Sequence, residues 1–283
     1  MKSWMLMILI LLNLPIHAGK RKVVFLKALE QKLIQAKASS KGGFKGYCMT
    51  VQVQNAGPDS LEIIFEAGQL LNSCSDAYQD ILIVKEEHLH LKKFESKSIA
   101  LKGYCCQANN CSPAKNSTYD FSKKADSSLI KLAKYLSLHR FEEGVEQQAV
   151  WAVSNNKPTA TIVGNPVADT KALREFVSSL KSEKIPWYNL TCYNRTDSRG
   201  YIHSTPVQLE GQLHYSLTSA EYLTFTILDA KDQVVCYLIS RWGQVGKNQI
   251  FDVQIPVVAL NSGTYRVELR GKDKVLVRET VTL

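Results

Sequence analysis

The sequence predicts a mainly β chain with a helical insertion. An N-terminal α+β, sandwich-like domain would be followed by a C-terminal immunoglobulin- or fibronectin-like β-sandwich. Three observations lead there. Short runs of period-two alternation, cut by Gly, Asn, Asp and Pro turns, fill residues 44–106 and return from Gln208 to the end. Between 127 and 182 the apolar spacing changes to three and four, the helical period. The 283 residues exceed one ordinary domain of about 100–200. The polar run Asn194–Gly200 offers a place to divide them. The expected units are a leader over 1–18, a first domain over 19–188, a linker over 189–204 and a second domain over 205–283.

The leader is read from a positive start, Met1-Lys2, a short apolar run from Trp4 to Leu14, and Ile16-His17-Ala18 before a cut. Those parts describe a secretory signal peptide. The run is too short to span a bilayer as a helix, and no later stretch is apolar for long enough. The chain is basic, formally +9, but its lysines are scattered and form no nucleic-acid stripe. The localisation expected is therefore secreted or cell-surface, with no nucleic-acid partner and no membrane span.

Residues 22–38 place Leu26, Leu29, Leu33 and Ala36 at helical spacing, which predicts an amphipathic helix ended by Ser39-Ser40-Lys41-Gly42-Gly43. From Phe44 the period becomes two. Tyr47, Met49, Val51 and Val53 alternate, Asn55-Ala56-Gly57-Pro58-Asp59 turns the chain, and Leu61, Ile63 and Phe65 alternate again. That pattern predicts a hairpin. Further strands are expected at 81–85, 88–94 and 98–104. His88 and His90 would share one strand face, which is read as exposed and not as a metal site, because no third ligand stands near.

Seven cysteines remain after the leader: Cys48, Cys74, Cys105, Cys106, Cys111, Cys192 and Cys236. In an exported chain they are disulfide material, and either Cys105 or Cys106 could close a small loop with Cys111. The odd count leaves at least one thiol over. Helices are then expected over 127–138, with Leu129, Leu132, Ala133 and Leu136 on one face, over the stretch from Glu142 to Val153, and over 169–182. From Gln208 all signals are β, which predicts a seven-stranded sandwich.

Two sets of residues carry resemblances. Tyr104-Cys105 and Glu146-Gln147-Gln148-Ala149-Val150-Trp151 resemble the thioester domains of bacterial surface adhesins, over roughly 100–188. That family joins an aromatic-Cys motif to a Thr-Gln-x-Ala-hydrophobic-Trp motif. Aligned on Ala149 and Trp151, Gln147 takes the glutamine position and Gln148 the variable one, while Glu146 stands where the family has threonine. The resemblance implies an internal thioester between Cys105 and Gln147. The plain reading of the same stretch is a core helix, with Val145, Ala149 and Ala152 on a sheet and Trp151 filling a corner. The second half, with Leu223–Ile227 and Leu260-Asn261-Ser262-Gly263-Thr264-Tyr265, looks like the C-terminal sandwich of secreted Bacteroidetes-type proteins, some of which are sorting signals for type IX secretion. No GxSxG elbow and no HExxH motif occurs. The expectation is an adhesin-like binding protein that takes an extracellular protein or glycan, uses no cofactor or metal, and is not an enzyme. An exposed Trp187 or Trp242 would favour carbohydrate.

Overall fold

A computed structural model describes residues 21–122 and 125–283, so the expected leader over 1–18 lies outside the described residues. The chain is mainly β, with four α-helices among the described residues.

Its first part opens with β1 (Arg21–Val24), α1 (Phe25–Glu30) and β2 (Ile34–Ser40) where a single helix over 22–38 was expected. The β-branched pair Val23-Val24 favours an extended start. The helix stops at Lys32, which takes a left-handed φ of 56° and reverses the chain. Beyond it Ile34, Ala38 and Ser40 are buried at even spacing, the period of a strand.

The predicted hairpin is also corrected. β3 (Met49–Asn55) and β4 (Leu61–Phe65) exist but do not pair with each other. β4 lies between β1 and β7 (Glu87–Leu91) in a three-stranded sheet. β3 lies between β2 and β8 (Ser96–Leu101) in a seven-stranded one. Asn55 makes the switch: its side-chain amide donates to the carbonyls of Asp59 and Lys92, at 2.7 and 2.8 Å, and pins the turn across the two sheets.

The seven-stranded sheet is completed by β5 (Leu70–Ser73), β6 (Ile81–Ile83), β9 (Gly103–Cys105) and β10 (Thr118–Asp120), in the order β8-β3-β2-β10-β5-β6-β9. Its two edge strands, β8 and β9, are separated in sequence by Lys102 alone, so the sheet curls until its edges nearly meet. The outer edge of β9 is covered by the segment that leads into β3. Gly103 N–H donates to Gly46 O at 2.8 Å, and Cys105 N–H to Phe44 O at 3.2 Å. The inner faces of both sheets share one apolar core, from Phe25, Met49 and Val51 to Ile63, Phe65 and Leu101.

Three helices, α2 (Ser127–Leu138), α3 (Glu143–Ser154) and α4 (Lys171–Lys181), fall where the helical period predicts them. Asp126 caps α2 by accepting from Leu129 N–H at 2.9 Å. The three pack a second core against β6 and β9, around Leu82, Leu132, Ala149 and Val177.

Seven strands form the second part: β11 (Tyr188–Thr196), β12 (Ile202–Leu217), β13 (Glu221–Leu228), β14 (Val234–Gly243), β15 (Gly246–Pro256), β16 (Thr264–Arg270) and β17 (Val275–Thr282). They make a sheet β11-β12-β15 and a sheet β14-β13-β16-β17 over one core that includes Leu209, Leu213, Phe225, Phe251 and Val267. The segment 189–204 is no free linker. It forms β11 and the start of β12, paired from Tyr188↔Gly211 to Thr196↔Ile202. Its far end turns polar because it projects beyond the second core and docks on the first part. Gly200 O accepts from Ser112 N–H at 2.7 Å, and Ile202 enters the first core. Arg174 of α4 adds a second tie, donating to Pro186 O at 3.0 Å and Tyr188 O at 2.7 Å.

Candidate functional site

The residues singled out by sequence meet where α3 crosses the end of β9. Gly103 allows the close fit there: a Cβ on it would stand 2.5 Å from Ile81 Cγ2 and 3.1 Å from Leu82 O. After it the strand alternation sends Tyr104 into the helical core and Cys105 into the sheet core, while Cys106 returns to the helical side. Helix α3 is buried continuously from Val145 to Ala152, because it is wedged between the sheets and the other helices.

Gln147 reaches from this helix to Cys105. Its Oε1 accepts from Cys105 N–H at 3.1 Å and its Nε2 donates to Cys105 O at 2.9 Å. The side-chain amide thus satisfies the backbone of the last residue of β9 as a neighbouring strand would. Each such bond contributes about 0.5–1.5 kcal/mol net, and leaving a buried partner unmet costs about 1–3 kcal/mol. One turn on, Trp151 lies 6.0 Å from the Phe44 ring at 14°, and its indole N–H points at Gln79 Oε1, 3.4 Å away. The Lys157 ammonium sits 4.6 Å from its ring centroid. Gln148 lies about 100° further round the helix, and its buried Oε1 has no hydrogen-bond partner among the described residues.

All seven cysteines are free thiols, so the small loop from Cys105 or Cys106 to Cys111 is not closed. The side chains face three ways. Cys105 points into the sheet core and Cys106 into the helical core, whereas Cys111 lies against the Tyr201 hydroxyl of the β11–β12 hairpin. A disulfide needs converging Cβ vectors. Burial pushes the Cys105 thiol well up, with the neighbouring Cys48 and Cys106 adding to it; Cys48 is itself pushed up to about 12 by burial. Burial also raises Cys106. These groups are therefore held as thiols, the form that is neither nucleophile nor ligand.

A cleft of about 450 Å³ opens beside α3, lined by Lys85, Lys102, Arg140, Glu143 and Glu146 among others. Glu146 is enclosed there, with its Oε2 2.7 Å from Lys102 Nζ. Sequence reasoning missed this pair and also the buried Gln79 and the half-buried Gln107, the latter donating to Asp80 Oδ2 at 2.7 Å. No spacing marks them, because the fold alone brings their partners close: Lys102 lies between β8 and β9, Trp151 on α3 and Asp80 just before β6. His88 is exposed and bonded to Glu62 and Glu86 at 2.9 and 3.0 Å; His90 is exposed on the same strand. Among the described residues no group of three or more His, Cys, Asp or Glu could hold a metal ion, and no helix is long and apolar enough to cross a membrane.

Comparison with protein-family models, curated proteins and solved structures found no match for this chain.

Proposed function

We propose that the chain is a secreted or surface-displayed binding protein that holds its ligand non-covalently, with Gln147 as an internal clamp and not a reacting group. One observation carries this reading. Both polar ends of the Gln147 amide are engaged by the peptide of Cys105, and the thiol beside it sits in apolar surroundings that favour its neutral form. Residues 188–283 are read as an immunoglobulin-like sandwich that presents or sorts the protein at the surface.

A second reading, covalent attachment through a Cys105–Gln147 thioester, is favoured by one fact: residues 42 apart in sequence lie in contact. In that step Cys105 Sγ bonds to Gln147 Cδ, the C–N bond of the amide breaks, and the thiol proton leaves with the nitrogen as ammonia. A ligand amine would then displace the sulfur and restore the thiol.

Intact mass of the mature protein, before and after methylamine, separates the two. Full sequence mass with no methylamine adduct is expected. A mass short by one ammonia, regained with methylamine and lost in Cys105→Ala, would replace the clamp with the thioester.

A further inference from the structure

The outer face of the β14-β13-β16-β17 sheet sets exposed aromatic rings beside half-exposed guanidinium groups. Leu223, Phe225 and Ile227 of β13 enter the core, so Tyr222, Thr224 and Thr226 point outward. Residues directly opposite share that face. Trp242 stands opposite Tyr222 and Tyr237 opposite Thr226 on one side; Arg270 stands opposite Thr224 and Glu268 opposite Thr226 on the other. Arg278 follows, opposite Glu268, on β17.

The aromatic side is open. Trp242 is 58% exposed, Tyr222 63% and Tyr237 60%. Tyr222 and Trp242 meet edge to face, with centroids 4.8 Å apart at 78°. Large rings left in water forgo much of the roughly 150–250 Å² each would otherwise bury, and such rings on a flat strand pair are suited to stacking on a ligand.

The cationic side is built. Glu268 is enclosed, with only 3% of its side chain exposed. Arg270 donates to its Oε2 at 2.7 Å, Arg278 donates Nε–H to its Oε1 at 3.0 Å, and Arg266 Nε lies 3.3 Å from Oε1. Arg266 is shared with Asp232. These three guanidinium groups face two carboxylates, one of them buried, so a positive surplus remains. It is presented by Arg270 and Arg278, whose side chains are 50% and 60% exposed. A buried carboxylate that fixes two half-exposed guanidinium forks pre-orients donors for an incoming carboxylate or sulfate.

We infer that this face binds an acidic oligosaccharide, a sugar ring stacking on Tyr222 and Trp242 while its carboxylate or sulfate meets Arg270 and Arg278. Neighbouring strands are about 4.8 Å apart, so Arg270 on β16 lies one strand from Tyr222 on β13 and two from Trp242 on β14. A flat face carrying rings beside cations suits a ring with a charged substituent better than an apolar peptide. The inference rests on the non-covalent reading and adds the ligand class.

Titration calorimetry of the full mature chain with oligogalacturonate, a sulfated chondroitin oligomer and a neutral cello-oligosaccharide tests it. Acidic oligomers should bind, more weakly as salt rises, and the neutral one should not. Trp242→Ala should weaken acidic binding about tenfold or more, the effect of losing about 1.4 kcal/mol. Arg270→Gln with Arg278→Gln should also remove the salt dependence. Equal binding of neutral and acidic oligomers, binding of none, or Trp242→Ala without effect would each overturn the inference. A Trp242→Ala change seen only in sedimentation would assign the face to a second copy. Failure here at full protein mass leaves the non-covalent reading intact, whereas a missing ammonia defeats that reading whatever the calorimetry gives.

Discussion

The two parts of the molecule use their polar and aromatic residues in opposite ways. In the first, Gln147, Gln79, Glu146 and Trp151 are almost wholly buried, and their polar atoms are turned on the protein's own backbone and side chains. In the second, Tyr222, Tyr237, Trp242, Arg270 and Arg278 stand on an outer sheet face. The difference follows from what each fold must join. A curled sheet whose edge ends at β9 leaves backbone groups that the 44–46 segment meets in part, and the buried Gln147 amide on α3 completes them. Two facing sheets satisfy their own ladders, so polar side chains on the outer face are not needed to complete the backbone's hydrogen bonds. Cohesion is therefore the work of the first set, and presentation that of the second.

The sharpest way to break that contrast is Trp151→Ala. Removing a fully buried indole should cost about 3–5 kcal/mol, the range for large aromatic truncations in cores. The loss should appear in urea unfolding of the first part, because the Phe44 and Gln79 contacts belong to it. A change below about 1 kcal/mol would mean the indole is not a cohesive element.

Comparing the two adjacent glutamines sharpens it further. Gln147→Ala leaves Cys105 O buried without its donor and should cost about 1–3 kcal/mol. Gln148→Ala should cost less, since the Gln148 carbonyl oxygen already lacks a partner. Equal effects on the urea midpoint would show that the clamp is not specific to Gln147.

The smallest effect concerns pH. Glu62 holds His88 above its ordinary value of 6.5, chiefly through their hydrogen bond, and Glu86 adds to it. In return the His88 bond holds Glu62 below its ordinary value of 4.5. The His88 contribution is complete below 6.5 and fades as pH rises through its raised folded value. The Glu62 contribution is present above 4.5 and fades as pH falls through its lowered one. Thermal midpoints should therefore decline gently as pH rises above 6.5, and His88→Gln should flatten that decline. An unchanged slope would remove this pair from the stability of the three-stranded sheet.

Local pattern carried the reading where burial is one-sided. Helices α2 and α4 show it, because one apolar face per element leaves a visible period. It failed at 22–38, where Leu26 and Leu29 lie in a short helix, Leu33 in the turn after Lys32 and Ala36 in a strand. It failed again at 189–204, where polar residues form a hairpin seated on Ser112.

By itself the sequence determined the mainly β character, the helical insertion and the stretch around Gln147 as a helix bearing an aromatic anchor. It singled out Cys105 and Gln147 as a pair. Only the tertiary structure decided which strands are neighbours, because β3 and β4 alternate alike yet serve different sheets. It also decided that the Gln147 amide bonds the Cys105 backbone, since the rotation of α3 is set by Val145, Ala149 and Trp151 packing on two cores at once. Strand pleating turned Cys105 and Cys106 to opposite sides whatever their closeness in sequence, while Cys111 is held in a loop against Tyr201.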